Sequence, residues 1–189
     1  INIRPDQTEP LRALFRRHNT TPPELVPMVR GRLKEIDGRA LAEIRFPTER
    51  GRSFAEREAN LMWSKDLQQG NKVVAGKWWT DDTGEPRVSL EEEIAMALGV
   101  KVGDTLTYDV AGEIVTARVA SIRQVRWDTF RPNGFLVFSP GVLNDATGTY
   151  ISALHLGEAQ RALLIDISRD FPEITVFDVE AILEQVRGV

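Results

Sequence analysis

Apolar positions along this chain follow two rhythms, one of period near four and one of period two, and the rhythm changes at Pro and Gly. In residues 5–19, PDQTEPLRALFRRHN, Leu11, Leu14, Phe15 and His18 recur at i, i+3, i+4 and i+7. That spacing predicts one face of a helix, with Arg12, Arg16 and Arg17 on the wet side. Pro10 fits only its first turn, where the missing N–H has no partner within the helix. The TPPE that follows ends it. LVPMVRGRLKEI (25–36) then reads as a strand, and Asp37-Gly38 is a hairpin turn signal leading into RALAEIRF (39–46).

The C-terminal part repeats the order. TYISALHL (149–156) reads as a strand, and GEAQRALLIDISRDF (157–171) as a helix with Ala159, Leu163, Ile167 and Phe171 four apart. Pro172 stops that helix, and EITVFD (173–178) reads as a return strand. Two strand–helix–strand units, one at each end, predict an α+β fold with a split βαβ domain. Only Ile1 and Ile3 remain of its first strand. The middle is richer in strands. NKVVAGKWW, TLTYDV and EIVTARVASIRQV alternate, the last two joined at Ala111-Gly112. One short helix interrupts them, with Ser89-x-x-Glu92 as a capping box, Glu91, Glu92 and Glu93 at the positive end of its dipole, and Gly99 as a left-handed stop. The middle is thus expected to be an inserted β-rich subdomain.

Composition narrows the function classes. Of 189 residues 42% are hydrophobic and 28% charged, the balance of a folded domain. The net charge of −4 and pI near 5.3 exclude nucleic acid as the main partner, since phosphate binding needs a basic face. There is no Cys, hence no disulfide, thiolate metal site or thiol nucleophile. His18 and His155 lack metal-ligand spacing and read as structural. Ser139, in FSPG, lacks the elbow that exposes a serine nucleophile, and GVKVGDTL lacks the spacing of a phosphate loop. A hydrolase using Asp128 and Glu92 would need one carboxyl shifted by burial, and nothing in the sequence signals that. The expectation is a non-enzyme without cofactor or metal. Ile1 opens a strand-like stretch and Val189 closes an amphipathic one. The chain is therefore expected to be a piece of a longer protein whose flanks include membrane spans.

Aromatic residues are the remaining signal. Trp78 and Trp79 close a strand pattern, so their rings are expected on opposite faces. VRWDTFRPNGFLVFSPGVLNDATGTYISAL (125–154) carries Trp127, Phe130 and Arg131 around a Pro-Asn-Gly break. These five residues form the candidate contact surface, set in a tract that otherwise reads as scaffold.

The same tract resembles one found in bacterial FtsX/MacB-type ABC-transporter permeases, in their YbbP-like branch. The matching residues are Val125, Trp127-Asp128, Phe130, Pro132-Asn133, Phe138-Ser139-Pro140-Gly141 and Thr149-Tyr150-Ile151. VPMVRGRLKEIDG (26–38) is similar to a second tract of that branch, with Asp37 where Asn is usual. Gly134 departs from it, standing where an aromatic is usual. The resemblance implies an extracytoplasmic domain set between transmembrane helices of the same chain. Its parts would be a porter-like α/β domain of residues 1–60 and 148–178, an inserted sabre-like subdomain of residues 61–147, and the start of a stalk helix at 179–189.

The stalk segment fits a pattern of its own. Val179, Ile182, Leu183 and Val186 recur at i, i+3, i+4 and i+7 after Asp178, a candidate N-cap. They make a candidate transmission helix leading to a membrane span of the bacterial inner membrane. The resemblance further implies a cytoplasmic ATPase subunit acting indirectly, and a lipid, lipoprotein or other hydrophobic cargo, or a periplasmic partner protein. A free-standing protein-binding module is the alternative, distinguished by the absence of flanking membrane spans.

Overall fold

The computed structural model describes residues 2–80, 84–127, 131–143, 148–157 and 160–177. Its helices and mixed sheet make the chain α+β. Contacts divide it into two compact units, residues 26–148 and a discontinuous unit of residues 1–25 and 149–189. The boundary expected from the sequence lies at residue 60. The contact boundary instead falls after Leu25, because β1 (Val26–Ile36) gives most of its ladder to strands of the middle: β3 (Glu58–Trp63) along one edge and β6 (Thr105–Val110) along the other.

In the middle unit six strands close on themselves. β1 pairs with β3, β3 with β8 (Leu136–Phe138), β8 with β5 (Arg87–Glu91), β5 with β7 (Glu113–Gln124), β7 with β6, and β6 with β1 again. A closed ring leaves no open edge among its members. Two of the pairings are parallel, β3 with β8 and β5 with β7. β2 (Arg39–Ala40) and β4 (Lys72–Gly76) are short additions to β1 and β7.

Long strands make the closure feasible. Residues 28–32 of β1 face β3 while residues 32–36 face β6. The crossing point needs Gly31, where a Cβ would stand 2.6 Å from Leu61 Cδ1 and 3.3 Å from the Asp109 carbonyl oxygen. Leu33, Leu61, Val88, Leu90, Leu106, Tyr108, Val119, Leu136 and Phe138 are among those that fill the interior.

Turn chemistry is as expected. Asp37 and Gly38 adopt φ of 52° and 70°, and the Asp37 carboxylate accepts the Thr105 N–H at 2.7 Å, tying the turn to β6. Ala111 and Gly112 likewise adopt positive φ between β6 and β7.

The helix α3 (Glu92–Leu98) ends at Gly99 with φ 75°. Its start departs from the expected capping box. Ser89 is a buried member of β5, and its hydroxyl accepts from Ser121 at 2.9 Å. The strand runs on to Glu91, whose carboxylate accepts the Ile94 N–H at 3.0 Å and so caps the helix itself. A second helix, α2 (Glu49–Glu56), had no signal in the sequence rhythm because only Phe54 and Ala55 of its apolar residues are buried. Thr48 caps it. Gly51 lets it approach α3 closely, since a Cβ there would lie 1.9 Å from the Ala97 carbonyl oxygen.

The discontinuous unit is built mainly from α1 (Thr8–Arg17) and α4 (Arg161–Asp170). Leu11, Leu14 and Phe15 pack with Leu163, Ile167, Phe171, Ile174 and Ile3. Ala159, also expected on this face, lies outside the described residues. The expected strands are shorter than the rhythm implied. β9 spans Thr149–Ile151, and Ile3 meets Tyr150 in a single antiparallel bridge. The expected return strand at 173–178 does not form over its described residues. Ile174 turns back, its N–H donating to the Phe171 carbonyl at 3.0 Å while its side chain enters the core. A backbone donor spent on a turn is lost to a ladder. His18 ends α1 and meets the Asp166 carboxylate at 2.8 Å. That hydrogen bond, followed by the charges of Arg169 and of the imidazole, holds the Asp166 carboxyl below its ordinary value.

Candidate contact surface of the middle unit

The aromatic tract is anchored from below by a buried cation. Arg123, on β7, is fully buried. Its guanidinium donates to the Ser89 carbonyl at 3.1 Å, to the Phe135 carbonyl at 3.5 Å and to the Gly134 carbonyl. Burial pulls its pKa down to about 10, against the upward pull of the Glu91 carboxylate, so it stays charged at neutral pH. Gly134 lies close under Met62, where a Cβ would stand 2.8 Å from Met62 Sδ and 3.3 Å from the Leu136 carbonyl oxygen, so a side chain there would require Met62 to shift. Asn133 and Asn71 exchange two amide hydrogen bonds, at 3.0 and 3.1 Å, tying the Pro-Asn-Gly break to the loop before β4.

On this base stand three rings. Phe135 meets Phe54 edge-on at 5.7 Å between centroids, and Trp127 tilts against Phe135 at 5.0 Å. Trp127 remains 49% exposed. The Arg57 guanidinium lies 5.2 Å over the Phe54 ring, a favourable placement against the ring quadrupole. Beside the rings lies a small cleft of about 180 Å³ lined by Arg50, Ser53, Phe54, Arg57, Ile94 and Phe135. Arg131 is exposed. Phe130 and Asp128 lie outside the described residues, as does every member of the candidate transmission helix: Val179, Ile182, Leu183 and Val186.

Trp78 and Trp79 form a second cluster. The expectation of rings on opposite faces is corrected: they stack on each other, 3.9 Å between centroids and 29° between planes. The reason is the end of β4 at Gly76, with φ of 72°. Beyond it the period-two rule of a strand no longer holds. Their indole N–H groups donate to the Lys65 and Ser64 carbonyls, both at 2.9 Å. With Lys65, Asp66, Leu67 and Thr80 they line a cleft of about 310 Å³. The five candidate residues thus belong to two places, and among the described residues no ring contact joins them.

Serine and acidic candidates take structural posts. Ser139 is buried and its hydroxyl oxygen accepts the Arg87 N–H at 3.1 Å, closing the end of the β5–β8 pairing. Glu92 sits in the first turn of α3, and His155 is exposed. Among the described residues no cluster of three metal-ligating side chains forms, and no helix is long and apolar enough to cross a membrane.

Over 187 residues, 98% of its length, the chain is 34% identical to the uncharacterized ABC transporter permease YbbP of Escherichia coli (strain K12). The chain is thus similar to a segment of that ABC-transporter permease. The segment spans 22% of the YbbP length. The resemblance read from the two motif tracts therefore extends over nearly the whole chain. No family model matches. A solved domain assigned to a permease protein of Porphyromonas gingivalis aligns with 78% of this chain and 63% of its own, at 10% identity and a TM-score of 0.36.

Proposed function

We propose that the chain is a non-catalytic extracytoplasmic domain of an ABC-transporter permease of the inner membrane. It relays ATP-driven movement of the membrane part to the transport or extraction of a lipid, lipoprotein or other hydrophobic cargo, or to a periplasmic partner protein. The observation that carries this reading is the 34% identity to YbbP along 98% of the chain. One feature of the fold supports a mechanical role: each unit has its own apolar core, so each can move as a body, the usual material of domain-level switching.

The discontinuous unit takes the porter-like role and the strand ring the sabre-like role, with their boundary moved to that of the contacts. Val179, Ile182, Leu183 and Val186 form the transmission helix that couples to the transmembrane helices of the same chain. The ATPase subunit acts through those helices from the cytoplasm. Trp127, Phe130, Arg131, Trp78 and Trp79 supply the contact surface.

Side of the membrane is tested first. The chain has no Cys, so a single Glu113→Cys in the full permease, with cysteines elsewhere replaced, gives one reporter on an exposed strand end. A membrane-impermeant maleimide should label it in cells whose inner membrane is intact. Labelling only after lysis overturns the placement. Coupling is tested by Leu183→Asp, which should abolish transport-linked ATPase stimulation while leaving the domain folded.

A further inference from the structure

From the ring-and-arginine cleft, we infer that the middle unit docks an acidic peptide segment of a partner protein, one apolar side chain of which rests in the cleft against the Phe54 and Phe135 rings. Size selects the class of ligand. Sites for free small molecules run to roughly 300–1,000 Å³, whereas this cleft measures about 180 Å³. It has room for a single anchoring side chain and not for acyl chains, the arrangement typical of a peptide anchor at an interface.

Charge selects the sign. In a chain of net charge −4, the cleft walls carry Arg50 and Arg57. Arg50 is engaged by Glu93 at 2.8 Å. Arg57 is exposed, rests on the Phe54 ring and makes no ion pair among the described residues. A carboxylate next to the anchoring side chain would meet this planar guanidinium, whose fork suits it. Trp127, against Phe135 and half in solvent, extends the apolar floor beyond the cleft.

The site is also formed by contacts within the chain, before any partner arrives. Arg123 pins the Gly134 and Phe135 carbonyls from within the ring of strands. Phe54 is buried at the end of a helix that packs closely on α3. A preformed pocket spares the ordering cost of binding.

This inference deepens the proposed function by naming the chemistry of a partner, yet its test reads the cleft alone. The full permease in detergent is titrated against a fluorescent acidic pentapeptide with one central phenylalanine. Its alanine-centred and lysine-rich counterparts and phosphatidylglycerol vesicles serve as competitors. Saturable binding of the phenylalanine peptide is expected. Arg57→Glu should weaken it roughly five- to tenfold, as expected for reversing one exposed charge partner, and Trp127→Ala should weaken it less. Lys34→Glu, at an exposed site on β1, should leave it unchanged. Equal binding of the alanine peptide, displacement by the vesicles alone, or indifference to Arg57→Glu overturns the inference. Cysteine labelling from the wrong side of the membrane would overturn the permease placement and leave this result standing.

Discussion

The middle unit and the discontinuous unit hold their backbones by different means. The middle unit spends its backbone hydrogen bonds in a ring of six strands, and it affords polar groups at the centre: Arg123, Ser89, Ser121 and Glu91 are all buried. Among the described residues the discontinuous unit has two α-helices, one bridge between Ile3 and Tyr150, and a small core of about one buried apolar residue per helical turn. Its polar ties lie at the rim, between His18 and Asp166 at 2.8 Å, Arg17 and Asp170 at 3.8 Å, and Gln7 and Glu173 at 3.2 Å. A ring of strands can bury a cation because carbonyls of neighbouring strands converge on it. A helix pair has no spare carbonyls facing its core, so its charged groups stay at the surface.

The sharpest way to break this comparison is to remove the central cation. Arg123→Met removes the guanidinium donor from the Ser89 and Gly134 carbonyls and leaves Glu91 buried without its counter-charge, while the Phe135 carbonyl keeps the Glu91 N–H at 2.8 Å. Stability of the middle unit should fall by about 3–5 kcal/mol, measured by urea unfolding. An unchanged midpoint would show that the buried charge is dispensable.

Leu163→Ala attacks the other unit. A fully buried leucine truncated to alanine costs roughly 2–5 kcal/mol. Because the two apolar clusters share no residue, hydrogen exchange should quicken in α1 and α4 and not in the strand ring. Quickening in both would mean that the units unfold as one.

Gly51→Ala tests the close approach of α2 and α3. The added methyl has nowhere to go but toward the Ala97 carbonyl, and overpacking of this kind costs about 1–3 kcal/mol. Thermal unfolding should report it, along with altered fluorescence of Trp127 as Phe54 shifts.

Tyr108 offers a change in the opposite direction. Its hydroxyl is buried with no hydrogen-bond partner, so Tyr108→Phe should stabilise the middle unit by about 1 kcal/mol. Burial also pushes the phenol well above its ordinary value. Above pH of about 10 the unfolded chain releases this proton while the folded one retains it. Stability should therefore fall with rising pH in the native chain and fall less in Tyr108→Phe.

The smallest effect belongs to acid and to the discontinuous unit. The Asp166 carboxyl is held low by His18, so its contribution is present above the ordinary carboxylate value and is lost as pH falls through the lowered one. Hydrogen exchange of α1 and α4 should quicken on acidification before that of the strands, and Asp166→Asn should remove that part of the acid dependence.

Much of the secondary structure is local, and so it was legible in the residues alone. The apolar faces of α1 and α4, the strands β1, β6 and β7, the turns at Asp37-Gly38 and Ala111-Gly112, and the stop at Gly99 each depend on neighbours within a few positions. The motif residues likewise pointed to the permease resemblance that the identity to YbbP extends along the chain. What depended on distant partners was not legible. The start of α3 slipped from Ser89 to Glu91 because β8 and β7 claim Ser89 for the ladder. The Trp78–Trp79 pair changed faces because its strand ended early, and α2 was missed because one close glycine contact, not a broad apolar stripe, holds it. Nothing local distinguishes Arg123 within the strand EIVTARVASIRQV. Only ring closure, which brings carbonyls from residues 89, 134 and 135 to a single point, turned it into the anchor beneath the aromatic cleft. Local propensity is written in sequence neighbours; a buried charge is decided by which remote carbonyls the fold can bring within about 3 Å of it.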